Sequence, residues 1–150
     1  MSQHTLRYHR GRLVLPPELL DAAPSAVAEW LSCVPEAERG RAFRAMPLNL
    51  GAAAFLHLPP TDRAALLACL NQANIRYLTG IAPDTLLHET LNHADPETNA
   101  RIRLALPDWR LKRMQDMDSQ LMTRQPEPKP PETGRVPWGW LRRTIGRARV

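Results

Sequence analysis

The run HETLNH, residues 88–93, comes closest to a catalytic pattern in this chain of 150 residues. A zinc-protease helix places two histidines four positions apart, so that both ligands lie on the same helix face. His88 and His93 are five apart, which rotates them by about 140° relative to each other at ~3.6 residues per turn. This spacing predicts two surface histidines rather than a zinc site.

The two cysteines, Cys33 and Cys69, share no metal-ligand spacing with each other or with a histidine. Both occur in apolar helical contexts, so two buried, reduced thiols are expected. The sequence also contains no Gly-rich phosphate loop, no nucleophile elbow and no assignable Ser/His/Asp group. We therefore expect no enzyme activity and assign no catalytic residue, metal ligand or cofactor.

Proline returns about every twelve positions through the middle of the chain. We call each position of this twelve-residue period a slot. Asn71 occupies the one slot without a nearby proline, and Pro96 follows its slot by one residue, after Asp95. The prolines are Pro35, Pro47, Pro59, Pro83, Pro96 and Pro107. The residue before the slot is apolar in six cases, namely Val34, Met46, Leu58, Leu70, Ala82 and Leu106. A fixed period with a fixed apolar phase predicts a repeat array.

Proline is tolerated in the first turn of a helix and disruptive inside it, so these prolines predict a series of short helices. Helices of eight to ten residues fall below the ~12–15 needed for marginal stability alone, so we expect each helix to stack on the next. We predict an all-α fold, a superhelix of short helices that repeat about every 12 residues. The side chains expected to contribute to the shared core include Ile75, Leu78 and Ile81 on one side of a helix, and Ile102, Leu104 and Leu106 in another. The expected helices are Ala26–Val34 with Ser25 as N-cap, Glu36–Met46, Leu48–Leu58, Arg63–Leu70, Asn71–Ile81, two that begin near Asp84 and Asp95, and Trp109–Met122, whose apolar stripe closes the array.

The chain divides by composition into four segments. Residues 1–24 are expected to form an arm, frayed over its first twelve residues, with one short helix at Glu18–Ala23. Residues 25–122 form the array, and residues 123–136 are a Pro-rich linker that cannot bury apolar surface. Residues 137–150 are a basic tail rich in Trp and Arg, expected to be disordered with the linker unless it binds a partner.

The net charge of +5 is confined to the end of the chain. Residues 1–132 carry 15 basic and 15 acidic side chains, whereas residues 133–150 carry five arginines and no acid. In a helical conformation, apolar residues of the tail would share one face and arginines the others, which suits an anionic membrane surface. The same arginines could track nucleic-acid phosphates. The predicted membrane or partner contacts are Arg135, Trp138, Trp140, Leu141, Arg142, Arg143, Ile145, Arg147 and Arg149.

Three runs, AVAEWLSCVPEAERGRAFRAMP, AAAFLHLPPTDRAALLACL and IAPDTLLHETLNHADPETNARIRLALP, carry a resemblance to a known family. They are similar to the cytoplasmic N-terminal domain of MgtE-type magnesium transporters. The resemblance implies an α-superhelix that works by contacting another module. In the transporters this domain helps to sense magnesium through acidic surfaces, whereas here Glu36, Glu38 and the pair Asp95/Glu97 lie among arginines.

We therefore predict a bacterial protein-interaction or regulatory module, an adaptor whose array binds a protein and whose tail docks to an anionic membrane or acidic partner. A magnesium-responsive regulatory domain linked to magnesium transport is one alternative. A nucleic-acid-binding protein that acts through the tail is a second, less favoured one. The longest apolar run, around residues 52–56, is far below the ~20 residues of a spanning helix. A cytoplasmic location is expected, with a peripheral position at the inner face of the membrane if the tail docks there.

Overall fold

A computed structural model describes residues 6–124, and within that range it contains eight α-helices in sequence. The first seven are ten residues long and begin every twelve residues, which confirms the predicted all-α superhelix of short helices. α8 starts in one compact unit, which ends at Gln115, and finishes in a second that begins at Asp116. The helices are α1 (Pro24–Cys33), α2 (Glu36–Ala45), α3 (Leu48–His57), α4 (Pro60–Cys69), α5 (Gln72–Ile81), α6 (Asp84–His93), α7 (Pro96–Ala105) and α8 (Asp108–Thr123).

The linkers between the first seven helices are two residues long, one C-cap and one N-cap, both with extended backbone. At the two slots without proline, a side chain caps the next helix. Asn71 accepts from the Asn74 amide at 2.9 Å, and Asp95 accepts from the Thr98 amide at 2.7 Å. Asp95 is therefore the N-cap at this slot, and Pro96 is the first residue of the helix. The twelve-residue period is unbroken here.

The start of the array differs from the prediction for the same reason. α1 begins at Pro24 with Ala23 as its N-cap, and Ser25 lies inside the helix. Proline at N1 needs no backbone donor there and has a fixed φ that already suits a helix. This arrangement repeats at Pro60 and Pro96, so the first helix follows the same rule as α4 and α7.

The core is built from the same four positions of each repeat. Counted from the first residue of a helix, they are the fourth, seventh and eighth residues and the C-cap. This is the i, i+3, i+4, i+7 stripe of an amphipathic helix, extended by one linker residue. Along the array α1 packs on α3, α2 on α4, α4 on α6 and α5 on α7. The main contacts therefore join helices two places apart, and the prediction that each helix stacks on the next is wrong. The buried apolar residues at these positions are Val27, Ile75 and Leu87; Trp30, Ala42, Ala54, Leu66, Leu78, Ile102 and Met114; Leu31, Phe43, Phe55, Leu67 and Leu91; and Val34, Met46, Leu58, Leu70, Ala82 and Leu106.

Two arginines occupy the fourth position, where other repeats place an apolar residue. Arg39 in α2 and Arg63 in α4 are only 8% and 4% exposed. Each donates to the C-cap carbonyl of the helix before it: Arg39 Nε to Val34 at 3.3 Å, and Arg63 Nη1 to Leu58 at 2.9 Å. The last carbonyls of a helix lack intrahelical donors and carry partial negative charge, so a guanidinium is a favourable cap.

The same two arginines also reach forward to a later helix. Arg39 pairs with Asp62 of α4 at 3.0 Å. Arg63 donates to the Thr90 hydroxyl at 2.9 Å and to Glu89 at 3.0 Å, both in α6. One side chain thus fixes the end of one helix and the position of another. These bonds add polar specificity to an otherwise aliphatic interface.

The end of α4 is capped by arginines from two other helices. Arg101 of α7 donates to the carbonyls of Ala68 and Leu70, and Arg44 of α2 donates to the Cys69 carbonyl at 3.3 Å. Both cysteines are exposed and free, contrary to the prediction of buried thiols, because they occupy the tenth helix position, outside the core stripe.

The N-terminal arm contains a hairpin that the sequence analysis did not predict. β1 (Arg7–His9) pairs antiparallel with β2 (Arg12–Val14) through a two-residue turn. The Tyr8 hydroxyl donates to Glu38 of α2 at 2.8 Å and thereby fixes the hairpin to the array. The prediction of a frayed arm is therefore wrong for the described part. The helix expected at Glu18–Ala23 is a single 3₁₀ turn at Pro17–Leu19.

Two glycines provide a test of the close packing between α2 and α4. A Cβ on Gly40 would lie 2.9 Å from Cys69 Cβ, whereas a Cβ on Gly80 would meet nothing within 4 Å. We expect Gly40→Ala to lower the free energy of unfolding by about 1–3 kcal/mol, because the helices must separate. Gly80→Ala should raise it by about 0.5–1 kcal/mol, since alanine favours the helix.

Urea unfolding followed by circular dichroism measures both variants at the same pH. Because the substitution is identical, the two results differ only through the space around each glycine. A Gly40→Ala protein as stable as Gly80→Ala would contradict the tight α2–α4 contact.

Candidate functional site

Two large apolar side chains on either side of the α7–α8 linker point into solvent. Leu104 is 75% exposed and Trp109 is 59% exposed. Single exposed apolar residues are normal on protein surfaces, so exposure alone identifies no site. The neighbours of these two residues make the region a candidate for partner binding.

Arg110 brings the first turn of α8 against the last turn of α5. It is 9% exposed and donates to the carbonyls of Thr79 and Ala82. Ile81, which is 42% exposed, lies between those two carbonyl residues. Arg110 thus connects the start of α8 with the end of α5, and α7 both packs on α5 and leads into α8 through a two-residue linker. We call this region, with Ile81, Leu104 and Trp109, the junction surface.

A shared carboxylate orders the polar part of the junction surface. Asp84, the first residue of α6, accepts from Arg110 Nε at 2.6 Å and from Arg113 Nη1 at 3.0 Å. Arg113 lies over the indole of Trp109, with its guanidinium carbon 5.1 Å from the ring centroid. A cation above a tryptophan face is attracted by the ring quadrupole. The indole is therefore held beside a charged network before any partner arrives.

The electrostatics of Asp84 follow from these contacts. The hydrogen bond from Arg110 is the largest influence that lowers the pKa of the Asp84 carboxyl, and the charges of Arg110 and Arg113 act in the same direction. Partial burial opposes the shift but does not reverse it. Asp84 is therefore an ionised anchor at neutral pH, and it holds two arginines in place.

A groove of about 350 Å³ between α2, α4 and the α6–α7 linker is a second candidate region. Most of its polar lining makes contacts within the protein. Asp62 pairs with Arg39, a ring nitrogen of His93 lies 2.9 Å from the Glu89 carbonyl, and Asp95 caps α7. Hydrogen bonds to the Thr98 amide and hydroxyl lower the pKa of Asp95. Asp62, His93 and Asp95 are therefore already satisfied by groups of the protein itself.

The acids considered for magnesium do not gather into a site. Glu36 and Asp95 both line the groove, but Glu38 faces away from it, accepting from Tyr8 and pairing with Arg41 at 3.4 Å. Among residues 6–124 no group of three or more His, Cys, Asp or Glu side chains is close enough to hold a metal ion. His88 and His93 likewise form no such group in that part of the chain.

Sequence reasoning missed the junction surface because it placed two of its residues in the core. Leu104 and Ile81 are the ninth and tenth residues of their helices, outside the buried stripe, so the prediction that they contribute to the core is wrong. If Asp95 is taken as the N-cap of α7, Leu104 is the ninth residue of the helix, which lies outside the core positions. The apolar stripe of α8 is partly as predicted, with Met114 buried and Leu121 and Met122 exposed.

The predicted contact residues of the tail lie outside the residues that the structure describes. They are Arg135, Trp138, Trp140, Leu141, Arg142, Arg143, Ile145, Arg147 and Arg149. Among the described helices, none combines the length and the apolar character required to cross a membrane.

Asp84 gives a pH-dependent prediction. A folded-state pKa below the ordinary value of 3.8 means that ionised Asp84 stabilises the fold above about pH 4, and that this stability is lost as the pH falls through the folded-state pKa. We expect Asp84→Asn to lower the free energy of unfolding at pH 7 by about 2 kcal/mol, because two arginines lose their charged partner. The deficit should shrink as the pH falls below about 4.

Chemical unfolding of both proteins between pH 2.5 and 7 measures this difference. Glu97→Gln removes an exposed acid from the first turn of α7 and serves as the control, with an expected loss below about 0.5 kcal/mol. A deficit for Asp84→Asn that stays constant down to pH 2.5 would show that its charge does not contribute.

Comparison with known proteins found no similarity that reaches significance: no family model matches the chain, and neither a curated protein nor a solved structure does.

Proposed function

We propose that this protein is a non-enzymatic protein-interaction module, an α-superhelical adaptor whose junction surface binds a protein partner. The observation that carries the proposal is the exposure of Trp109 and Leu104 beside a network that holds Arg113 over the indole. Tryptophan and arginine are the residues most enriched among interface residues that dominate binding energy. An indole that is already ordered loses little side-chain entropy when it is buried by a partner.

The junction surface also indicates the chemistry of the partner. Burying Leu104 and Trp109 requires an apolar hollow on the partner. A guanidinium has five N–H donors, and Arg113 uses one of them for Asp84 while its side chain stays 61% exposed. Lys112 is also exposed on this part of α8. A partner with an apolar pocket rimmed by a carboxylate therefore fits best.

The groove between α2 and α4 supports this function less well. A binding site for a small molecule commonly offers convergent polar groups inside an apolar pocket. The groove residues Asp62, His93 and Asp95 are instead engaged in contacts within the protein. No specific feature of the groove favours magnesium over other solutes, so the magnesium-responsive alternative gains no support from it.

The basic tail adds the second part of the proposal, docking to an anionic membrane or an acidic partner. Its support comes from composition, since five arginines and two tryptophans occur within residues 133–150 without an acid. Each arginine near an anionic membrane surface contributes ~1 kcal/mol before ordering costs, so the attraction is modest and reversible. Such a tail would raise the local concentration of the array at a charged surface. The resemblance to a regulatory cytoplasmic domain agrees with this arrangement.

Site-specific photo-cross-linking tests the junction surface. A cross-linker at position 104 should capture a discrete partner in cells, and purified partner should then bind the unmodified chain. Trp109→Ala and Leu104→Asp are each expected to weaken that binding at least tenfold, about 1.4 kcal/mol or more, because they remove the central apolar contacts. Leu20→Asp changes an apolar residue that is 52% exposed elsewhere and should alter the affinity less than twofold.

The comparison between variants decides the question. Equal binding by wild type, Trp109→Ala and Leu104→Asp would place the partner on another surface. Circular dichroism of each variant shows that the helices are intact.

Vesicle co-sedimentation tests the tail separately. The full chain should sediment with vesicles that contain anionic lipid and remain in solution with neutral ones, because arginine attraction requires surface charge. A chain that ends at Glu132 should lose this binding, and salt should weaken it for the full chain. Equal sedimentation of the two chains would contradict the membrane role of the tail.

A further inference from the structure

The N-terminal hairpin presents a second basic surface, separate from the tail. Its register pairs Arg7 with Val14 and His9 with Arg12, so these four residues share one face. Tyr8 and its partner Leu13 lie on the other face, where Tyr8 bonds to α2 and Leu13 packs against the core. The face with Arg7, His9 and Arg12 is therefore directed away from the array.

This outer face has an unbalanced charge. Arg7, Arg10 and Arg12 are exposed, and residues 6–15 contain no acid. Within residues 6–124 no ion pair involves any of the three arginines, in contrast to Arg39, Arg63 and Arg110, which are all paired. Three unneutralised positive charges thus stand on one short ribbon. We call this face with the turn residue Arg10 the basic ribbon.

The turn of the basic ribbon has a backbone conformation unusual for arginine. Arg10 has φ of 51° and Gly11 has φ of 75°, the positive values of a two-residue type I′ turn. Glycine adopts this region freely, and asparagine is the side chain most favoured before it. An arginine there is less stable than asparagine would be, and it extends a long positive side chain from the tip of the ribbon. Local strain of this kind is characteristic of functional positions.

We propose that the basic ribbon binds the phosphate backbone of double-stranded DNA. Charge complementarity identifies the partner as a polyanion, and a two-stranded antiparallel ribbon has the width that the major groove admits, about 12 Å. Residues two apart on a strand are about 7 Å apart, and diagonal cross-strand neighbours are about 7–8 Å apart. DNA carries one phosphate per ~3.4 Å of axis on each strand, so each arginine reaches a different phosphate.

A membrane surface fits the basic ribbon less well. Interfacial binding needs apolar side chains that enter the lipid beside the basic ones. The outer face offers only Val14, which is 44% exposed, while the aromatic ring of Tyr8 belongs to the opposite face. The proposal concerns the hairpin alone, and it holds whether or not the junction surface binds a protein.

Fluorescence anisotropy with a labelled 20-base-pair DNA duplex tests the proposal on the full chain. The ribbon variant carries Arg7→Gln, Arg10→Asn and Arg12→Gln, which removes three charges and gives the turn its favoured Asn-Gly sequence. We expect the ribbon variant to bind at least tenfold more weakly at 50 mM salt. The slope of log affinity against log salt should become shallower by about 2.7, since ~0.9 is lost for each phosphate contact.

Two matched variants separate the ribbon from other basic regions. Arg76→Gln with Lys112→Gln and Arg124→Gln removes three exposed charges from α5, α8 and the residue after α8. Arg142→Gln with Arg143→Gln and Arg147→Gln removes three from the tail. The first variant should leave the DNA affinity and the salt slope unchanged. In the tail variant, removing the three ribbon arginines should still make the salt slope shallower by about 2.7. Unfolding of Arg10→Asn alone, which we expect to be at least as stable as wild type, excludes loss of structure as the cause.

Several results would overturn the proposal. One is absence of duplex binding by the full chain at 50 mM salt. Another is a loss caused only by the tail variant, with the ribbon variant unchanged. A ribbon variant that loses binding to anionic vesicles but keeps its DNA affinity would assign the ribbon to a membrane instead.

Discussion

Each ten-residue helix of the array ends in carbonyl groups that have no donor within the helix, and the two-residue linker leaves no room for a longer capping turn. Buried polar groups without partners destabilise a fold, so every repeat needs donors from elsewhere. At four of these helix ends the donors are arginines from other helices. Arg39, Arg63, Arg101 and Arg110 reach the ends of α1, α3, α4 and α5 respectively. The short repeat and the buried arginines therefore depend on each other.

This constraint explains why charge occurs inside an aliphatic core. Arginine suits the role because its planar fork donates several hydrogen bonds at once and it stays charged when buried. Arg63 uses three of its nitrogens on three different partners. A lysine would provide one small charged group in the same space and could not satisfy acceptors so far apart. Where no such arginine is present, as at the end of α6, the Asn99 amide donates to the Leu91 carbonyl at 3.2 Å.

The sequence predicted the architecture because proline fixes where helices begin. Pro35, Pro47, Pro59 and Pro83 are N-caps of the predicted helices. The buried arginines could not be predicted in this way, since an arginine at a core position looks like surface charge unless the carbonyl it caps is known. The hairpin was missed because its strands have only three residues each and do not show apolar alternation. The Arg10-Gly11 pair was its one local signal.

The capping network also determines which surfaces remain available to partners. Arg110 is buried and joins α8 to the end of α5. Its partner Asp84 also binds Arg113 on the exposed side of α8. The buried cap and the exposed Trp109 are thus linked through one carboxylate. A change that weakens the cap should also disorder the indole, because both arginines depend on Asp84. Asp84 therefore couples the stability of this end of the array to the proposed binding of a partner. The basic ribbon is attached through Tyr8 and Leu13 instead, and it can change without affecting Asp84.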